Sequence, residues 1–163
     1  MKSLPIKLSL IICFLVPAVL LAQRESSVTQ TLTVEVKPIT KIAVSGNPGA
    51  LLITDVNASS EVLAVSDNNS KYSMLTNLDN MKIVASINDP MPSGTRLLLR
   101  LESSKGLSDG LVDVSNARSP VEVVSSLGKG SDLNQTISYT FAADASAGQI
   151  STDSRVITLT LTN

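Results

Sequence analysis

Chemistry in this chain has few residue types to work with. There is no histidine and no tryptophan, and Cys13 is the single cysteine among 163 residues. Without an imidazole, Ser-His-Asp and Cys-His nucleophilic sites cannot be built, and the usual nitrogen and sulfur ligands of zinc and copper are missing. What remains is hydroxyls, amines and carboxylates. Ser103-Ser104-Lys105 could form a serine–lysine pair, but it sits in a glycine-flanked polar loop with nothing nearby to make an oxyanion hole. Asp109 with Asp113, or Asp144 with Asp153, could supply paired carboxylates for glycoside hydrolysis. Sugar sites usually also offer aromatic faces, and beyond the first 22 residues only Tyr72, Tyr139 and Phe141 are aromatic.

Asp67-Asn68-Asn69 and Asn77-Leu78-Asp79-Asn80 present oxygen ligands of the kind calcium prefers. They lack the glycine and terminal glutamate of an EF-hand loop. The same residues are ordinary turn formers through side-chain to backbone bonds, and that reading is preferred. Gly128-Lys129-Gly130 lacks the spacing of a phosphate-binding loop. Asn57-Ala58-Ser59, Asn68-Asn69-Ser70 and Asn134-Gln135-Thr136 match glycosylation sequons, which matter only in a host that modifies them. No catalytic, cofactor-binding or metal-ligating residue is assigned, and no enzyme activity is expected.

The elements that must position these residues begin after an export signal. Lys2 and Lys7 precede an apolar run from Leu8 to Leu21, and Ala22 offers a small residue for cleavage. The run spans roughly 14 residues, short of the ~20 needed for a membrane-spanning helix. Residues 1–22 are therefore expected to be a signal peptide. Cys13 lies within its apolar core, so it would leave with the signal, and the mature domain would be stapled by no disulfide. Taking Lys2 and Lys7 from the 13 basic residues leaves 11 against 14 acidic ones, a mature net charge of −3. With no basic stripe and few aromatics, nucleic acid is not an expected partner, nor is a membrane after cleavage.

From Thr29 the hydrophobic period is two. Leu32, Val34 and Val36 alternate with Thr31, Thr33 and Glu35, which predicts a half-buried first strand. Ile39–Val44 resumes an extended reading, Gly46-Asn47-Pro48-Gly49 is a turn, and Leu51–Ile53 reads as a short strand. Ser59–Val65 fits either a strand or a helical turn, and Ser66–Ser70 reads as a polar loop. Tyr72–Thr76 and Lys82–Ile87 read as a hairpin about Asn77–Asn80. Arg96–Glu102, Leu111–Val114, Val121–Val124, Thr136–Ala142 and Arg155–Thr162 are further strands, with a loop over Leu127–Asn134. Short strands at about ten-residue spacing, without a helical period, predict an all-β sandwich of about 7–10 strands. The expected organisation is a signal at 1–22, a flexible leader at 23–28 and one immunoglobulin-like β-sandwich domain at 29–163, its first and last strands side by side.

Four segments carry a resemblance: Leu20-Leu21-Ala22-Gln23, the strand pattern Gln30–Val36, Ser138-Tyr139-Thr140-Phe141, and the closing Val156–Thr162. In texture the chain resembles small exported β-sandwich proteins of Gram-negative bacteria, including fimbrial or pilin-like subunits. That resemblance implies a structural subunit, secreted, periplasmic or on the cell surface, that self-associates when a terminal strand of one copy pairs with the next. The chain departs from that family in reading as a complete last strand and in placing Tyr139 well before its end. A soluble module that binds glycans or proteins is the alternative expectation.

Overall fold

A computed structural model describes residues 27–54 and 62–163. The expected signal segment and the Asn57 sequon lie outside them. Nine strands are found among the described residues, with one short 3-10 turn, Ala145–Ala147. They run β1 Thr40–Ser45, β2 Val62–Thr76, β3 Met81–Ile87, β4 Thr95–Leu101, β5 Leu107–Ser108, β6 Val112–Asp113, β7 Val121–Leu127, β8 Gly130–Asp144 and β9 Ile157–Thr162. They form two antiparallel sheets. One has five strands in the order β1-β2-β8-β4-β6, the other four in the order β5-β7-β3-β9. The fold is an all-β sandwich, and among the described residues no helix is long and apolar enough to cross a membrane.

Alternation in the sequence becomes alternation in burial. On β3 the residues Met81, Ile83, Ala85 and Ile87 point into the sandwich, as do Leu97, Leu99 and Leu101 on β4. With Tyr72 and Met74 from β2, Val123, Val124 and Leu127 from β7, and Ile137 from β8, they make one core between the sheets. The spine of the larger sheet is the pairing of β2 with β8, each 15 residues long.

Six expectations are corrected. Thr29–Val36 forms no strand, and Leu32, Val34 and Val36 are 81%, 80% and 80% exposed. A two-residue period shows only that a segment could be half-buried in a sheet; it supplies no partner. In consequence that segment is not the first strand, and the last strand, β9, pairs with β3. Leu51–Ile53 also forms no strand. Tyr72–Thr76 and Lys82–Ile87 are not a hairpin: β2 belongs to the five-stranded sheet and β3 to the other, so Asn77–Asn80 arches between the layers. Positive φ at Asn80 (56°) turns the chain there, a conformation asparagine tolerates well. Finally, Ser66–Ser70 is no loop but part of β2, where the register slips between Asp67 and Ser70, and β8 begins at Gly130 within the segment read as a loop.

Candidate functional site

The polar groups that could have done chemistry are engaged in holding the fold. Ser103 and Ser104 do converge on a carboxylate, but it is Asp132 of β8, which is 1% exposed. Its Oδ2 accepts from Ser103 Oγ at 2.7 Å and from the Ser104 amide at 2.9 Å, and its Oδ1 accepts from Ser104 Oγ at 2.7 Å. Burial pushes this carboxyl's pKa up, but the Ser103 and Ser104 hydroxyls, with the backbone amides of Ser104 and Lys105, outweigh that and hold it below its ordinary value. Ser103 Oγ also accepts from the amides of Lys105 and Gly106, at 3.2 and 3.0 Å. Both serines therefore donate to a carboxylate, and the loop after β4 is latched onto β8. Tyr72 completes the latch, donating its hydroxyl to the Glu102 carbonyl at 2.7 Å. Asp132 had no local signal in the sequence, since its partners lie 28 and 29 residues away.

The four carboxylates named as pairs are each engaged with other side chains or amides. Asp109 follows β5 of the smaller sheet, whereas Asp113 ends β6 of the larger one and accepts from the Ser115 amide and hydroxyl. Asp144 faces Arg96 at 3.8 Å, while Asp153 pairs with Arg155 and accepts from the Ser154 amide. The Asp153 carboxyl is held below its ordinary pKa chiefly by the Arg155 hydrogen bond. Of the two oxygen-rich segments, Asp67–Asn69 lies within β2 at its register slip and Asn77–Asn80 forms the arch. Asp67 accepts from the Asn69 amide and side chain at 3.1 and 2.6 Å. Asn77 accepts from the Ile39 amide at 2.7 Å and donates to the Lys37 carbonyl at 2.9 Å, fixing the chain where it enters β1. Lys129 pairs with Asp79 at 2.8 Å, tying the β7–β8 turn to the arch. Among the described residues no group of three or more His, Cys, Asp or Glu side chains gathers as a metal site. The sequon residues Asn68 and Asn134 are both exposed. A shallow depression on the outer face of β1 and β2 is lined by Lys41, Ala43, Ser73, Leu75 and Leu133, among others, with Lys41 its one titratable lining residue.

Two apolar features are left without a covering partner among the described residues. One is the row Leu32, Val34, Val36 before β1. The other lies along β1 and β9, the end strands of the two sheets. Ile42 and Val44 oppose Met74 and Tyr72 in the ladder and so share their inward face, yet Val44 is 52% exposed. Ile157, Leu159 and Leu161 oppose the buried Ile87, Ala85 and Ile83 and are only half-buried themselves. Sequence reading found each segment but not that it would remain uncovered. No family model, curated protein or solved structure matches this chain.

Proposed function

We propose that this is an exported, non-enzymatic structural subunit of immunoglobulin-like type whose copies assemble by pairing of β-strands. The observation that carries the reading is the segment Gln30–Val36, which has the alternation of a half-buried strand while its apolar row is about four-fifths exposed. Exposed aliphatic rows of that kind mark interaction surfaces, and an extended segment recognises a sheet edge through its main chain. The charged amino-terminal stretch with its apolar run supports export, and the resemblance to pilin-like subunits supports a periplasmic, secreted or cell-surface place in a Gram-negative bacterium. The hydroxyls and carboxylates described above are occupied in latches and turns, which leaves the reading free of any catalytic step.

Sedimentation of the exported protein over a range of concentrations tests it. Assemblies that grow with concentration, and that disappear when Gln23–Val36 is removed, are expected. Monomers throughout, with and without that segment, would refute the proposal.

A further inference from the structure

We infer that Asp109–Gly110 is a self-modification site, where the chain closes a succinimide ring and reopens as isoaspartate, loosening the crossover between the two sheets.

Among the aspartates and asparagines of the chain, Asp109 alone is followed by glycine. Ring closure requires the next main-chain nitrogen to reach the side-chain carbonyl carbon, and any side chain on that next residue crowds the approach. The fold leaves the pair accessible. Asp109 is exposed and Gly110 turns with φ 76°. Beyond its chain neighbours, nothing lies within 4 Å of the point where a Cβ would stand on Gly110. Among the described residues the Gly110 amide donates to Ser108 Oγ alone, at 3.4 Å, longer than an ordinary bond of that kind. The Asp109 carboxyl accepts from Ser125 Oγ at 3.5 Å, and no ammonium or guanidinium of the described residues lies within ion-pair distance of it. Competing aspartates differ. Asp153 is exposed too, but Arg155 holds its carboxyl as the anion, which lacks the hydroxyl that leaves on ring closure. The amide after Asp113, that of Val114, is taken by the Leu97 carbonyl at 2.9 Å. Asp89 precedes Pro90, which has no N–H, and Asp132 is buried.

The Gly110 nitrogen attacks Cγ of the protonated Asp109 carboxyl. An N–Cγ bond forms, a C–O bond breaks, and the amide proton leaves with the hydroxyl as water. Water then opens the five-membered ring. Attack at Cγ restores aspartate, whereas attack at the main-chain carbonyl carbon of Asp109 breaks its bond to nitrogen and leaves isoaspartate. Nothing is oxidised or reduced, and water is the only other reactant. The main chain then runs through Cβ and Cγ, one atom longer, and the carboxylate stands on Cα. That atom enters a short link: β5 and β6 are two residues each, at the ends of different sheets, and only 109–111 lie between them. On the β6 side Val114 is buried and Ser115 Oγ accepts from the Leu97 amide at 2.8 Å, whereas Leu107 of β5 is 66% exposed. The longer link therefore displaces β5, together with the bond from the Asp109 amide to the Val123 carbonyl, and spares β6.

Purified folded protein is kept warm at neutral pH in heavy-oxygen water, and samples taken over weeks are cut with a protease that cleaves before aspartate but not before isoaspartate. The expected product is a peptide left uncut before residue 109, carrying one heavy oxygen and eluting apart from its aspartate isomer. It should accumulate many-fold faster than the corresponding product at Asp153. Asp109→Glu keeps the charge but would have to close a six-membered ring, so heavy-oxygen uptake at that position should vanish; Gly110→Ala should slow it several-fold. Isoaspartate spread evenly over the aspartates, or formed at residue 109 only after unfolding in urea, would overturn the site. Hydrogen exchange then compares isomer-rich with fresh protein. Exchange at the residue 109 amide and along β5 should rise several-fold, with that of Ile83 and Leu99 in the core unchanged. Identical exchange in the two samples would overturn the loosening of the crossover.

Discussion

Replacing Asp132 with alanine is the most informative perturbation of the fold. The carboxylate accepts three direct hydrogen bonds, two from hydroxyls and one from an amide, and is almost completely buried. Each bond to a charged group contributes about 1.5–3 kcal/mol, but the three are not additive, because Ser104 is exposed and regains water once released. The expected net loss is about 2–4 kcal/mol, a large share of the roughly 5–15 kcal/mol that keeps a domain folded. Urea unfolding followed by circular dichroism measures it as a lower midpoint at unchanged slope. The pH dependence follows from the depressed pKa. Stability from Asp132 is fully present above the unfolded value of 3.8 and is lost as pH falls through the lower folded value. The wild-type advantage over the alanine variant should therefore shrink as pH falls below about 4. A midpoint shift worth less than about 1 kcal/mol, or a gap between the two proteins that is the same at neutral and strongly acid pH, would refute the latch.

Other outcomes follow from single contacts. Tyr72 is pushed up to about 12, burial being the main cause, and Tyr139 is raised for the same leading reason, so absorbance titration of the folded protein should show phenolate formation displaced above the ordinary value of 10.0, with the Tyr72 step the later one expected near 12. Since the folded Tyr72 pKa exceeds its unfolded value of 10.0, its contribution to stability should be lost as pH rises from that value through about 12, seen as alkaline unfolding. Ser115→Ala removes the hydroxyl that accepts from the buried Leu97 amide at 2.8 Å and should cost about 1–3 kcal/mol by urea titration. Gly106→Ala places a methyl 2.7 Å from the Ser125 carbonyl oxygen and 2.8 Å from Leu127 Cδ2, and should cost about 1–3 kcal/mol. Lys129→Ala breaks an ion pair whose side chains are about 60% exposed and should change stability by less than about 0.5–1 kcal/mol.

Strand identity was legible where alternation coincided with one buried face. Arg96–Glu102, Thr136–Ala142 and Arg155–Thr162 correspond closely to β4, the core of β8, and β9. Pairing was not legible, because alternation records that a face is covered and not by what. Tyr72–Thr76 and Lys82–Ile87 would carry the same pattern in a hairpin or in an arch between sheets. Gln30–Val36 shows the converse case, with the strand pattern present and no strand formed there among the described residues. Ser103-Ser104-Lys105 does cluster hydroxyls, as a reactive site would. Its carboxylate arrives from β8 through the fold, so only the three-dimensional arrangement reveals that the cluster fastens a loop.

The spine of the larger sheet also bears on how the protein folds. β2 and β8 face one another along most of their length, and the paired hydroxyls of Ser66 and Thr140 are 74 residues apart in the chain. The larger sheet cannot be completed before a loop of about that size closes, because only the β2–β8 pairing joins β1 and β2 to β4 and β6. The entropy of that closure must be met before the contacts that offset it exist, which places the chain among the slow, millisecond-to-second folders. During that interval both long strands expose their edges, so productive folding has to outrun association between unfolded chains until β2 has found β8.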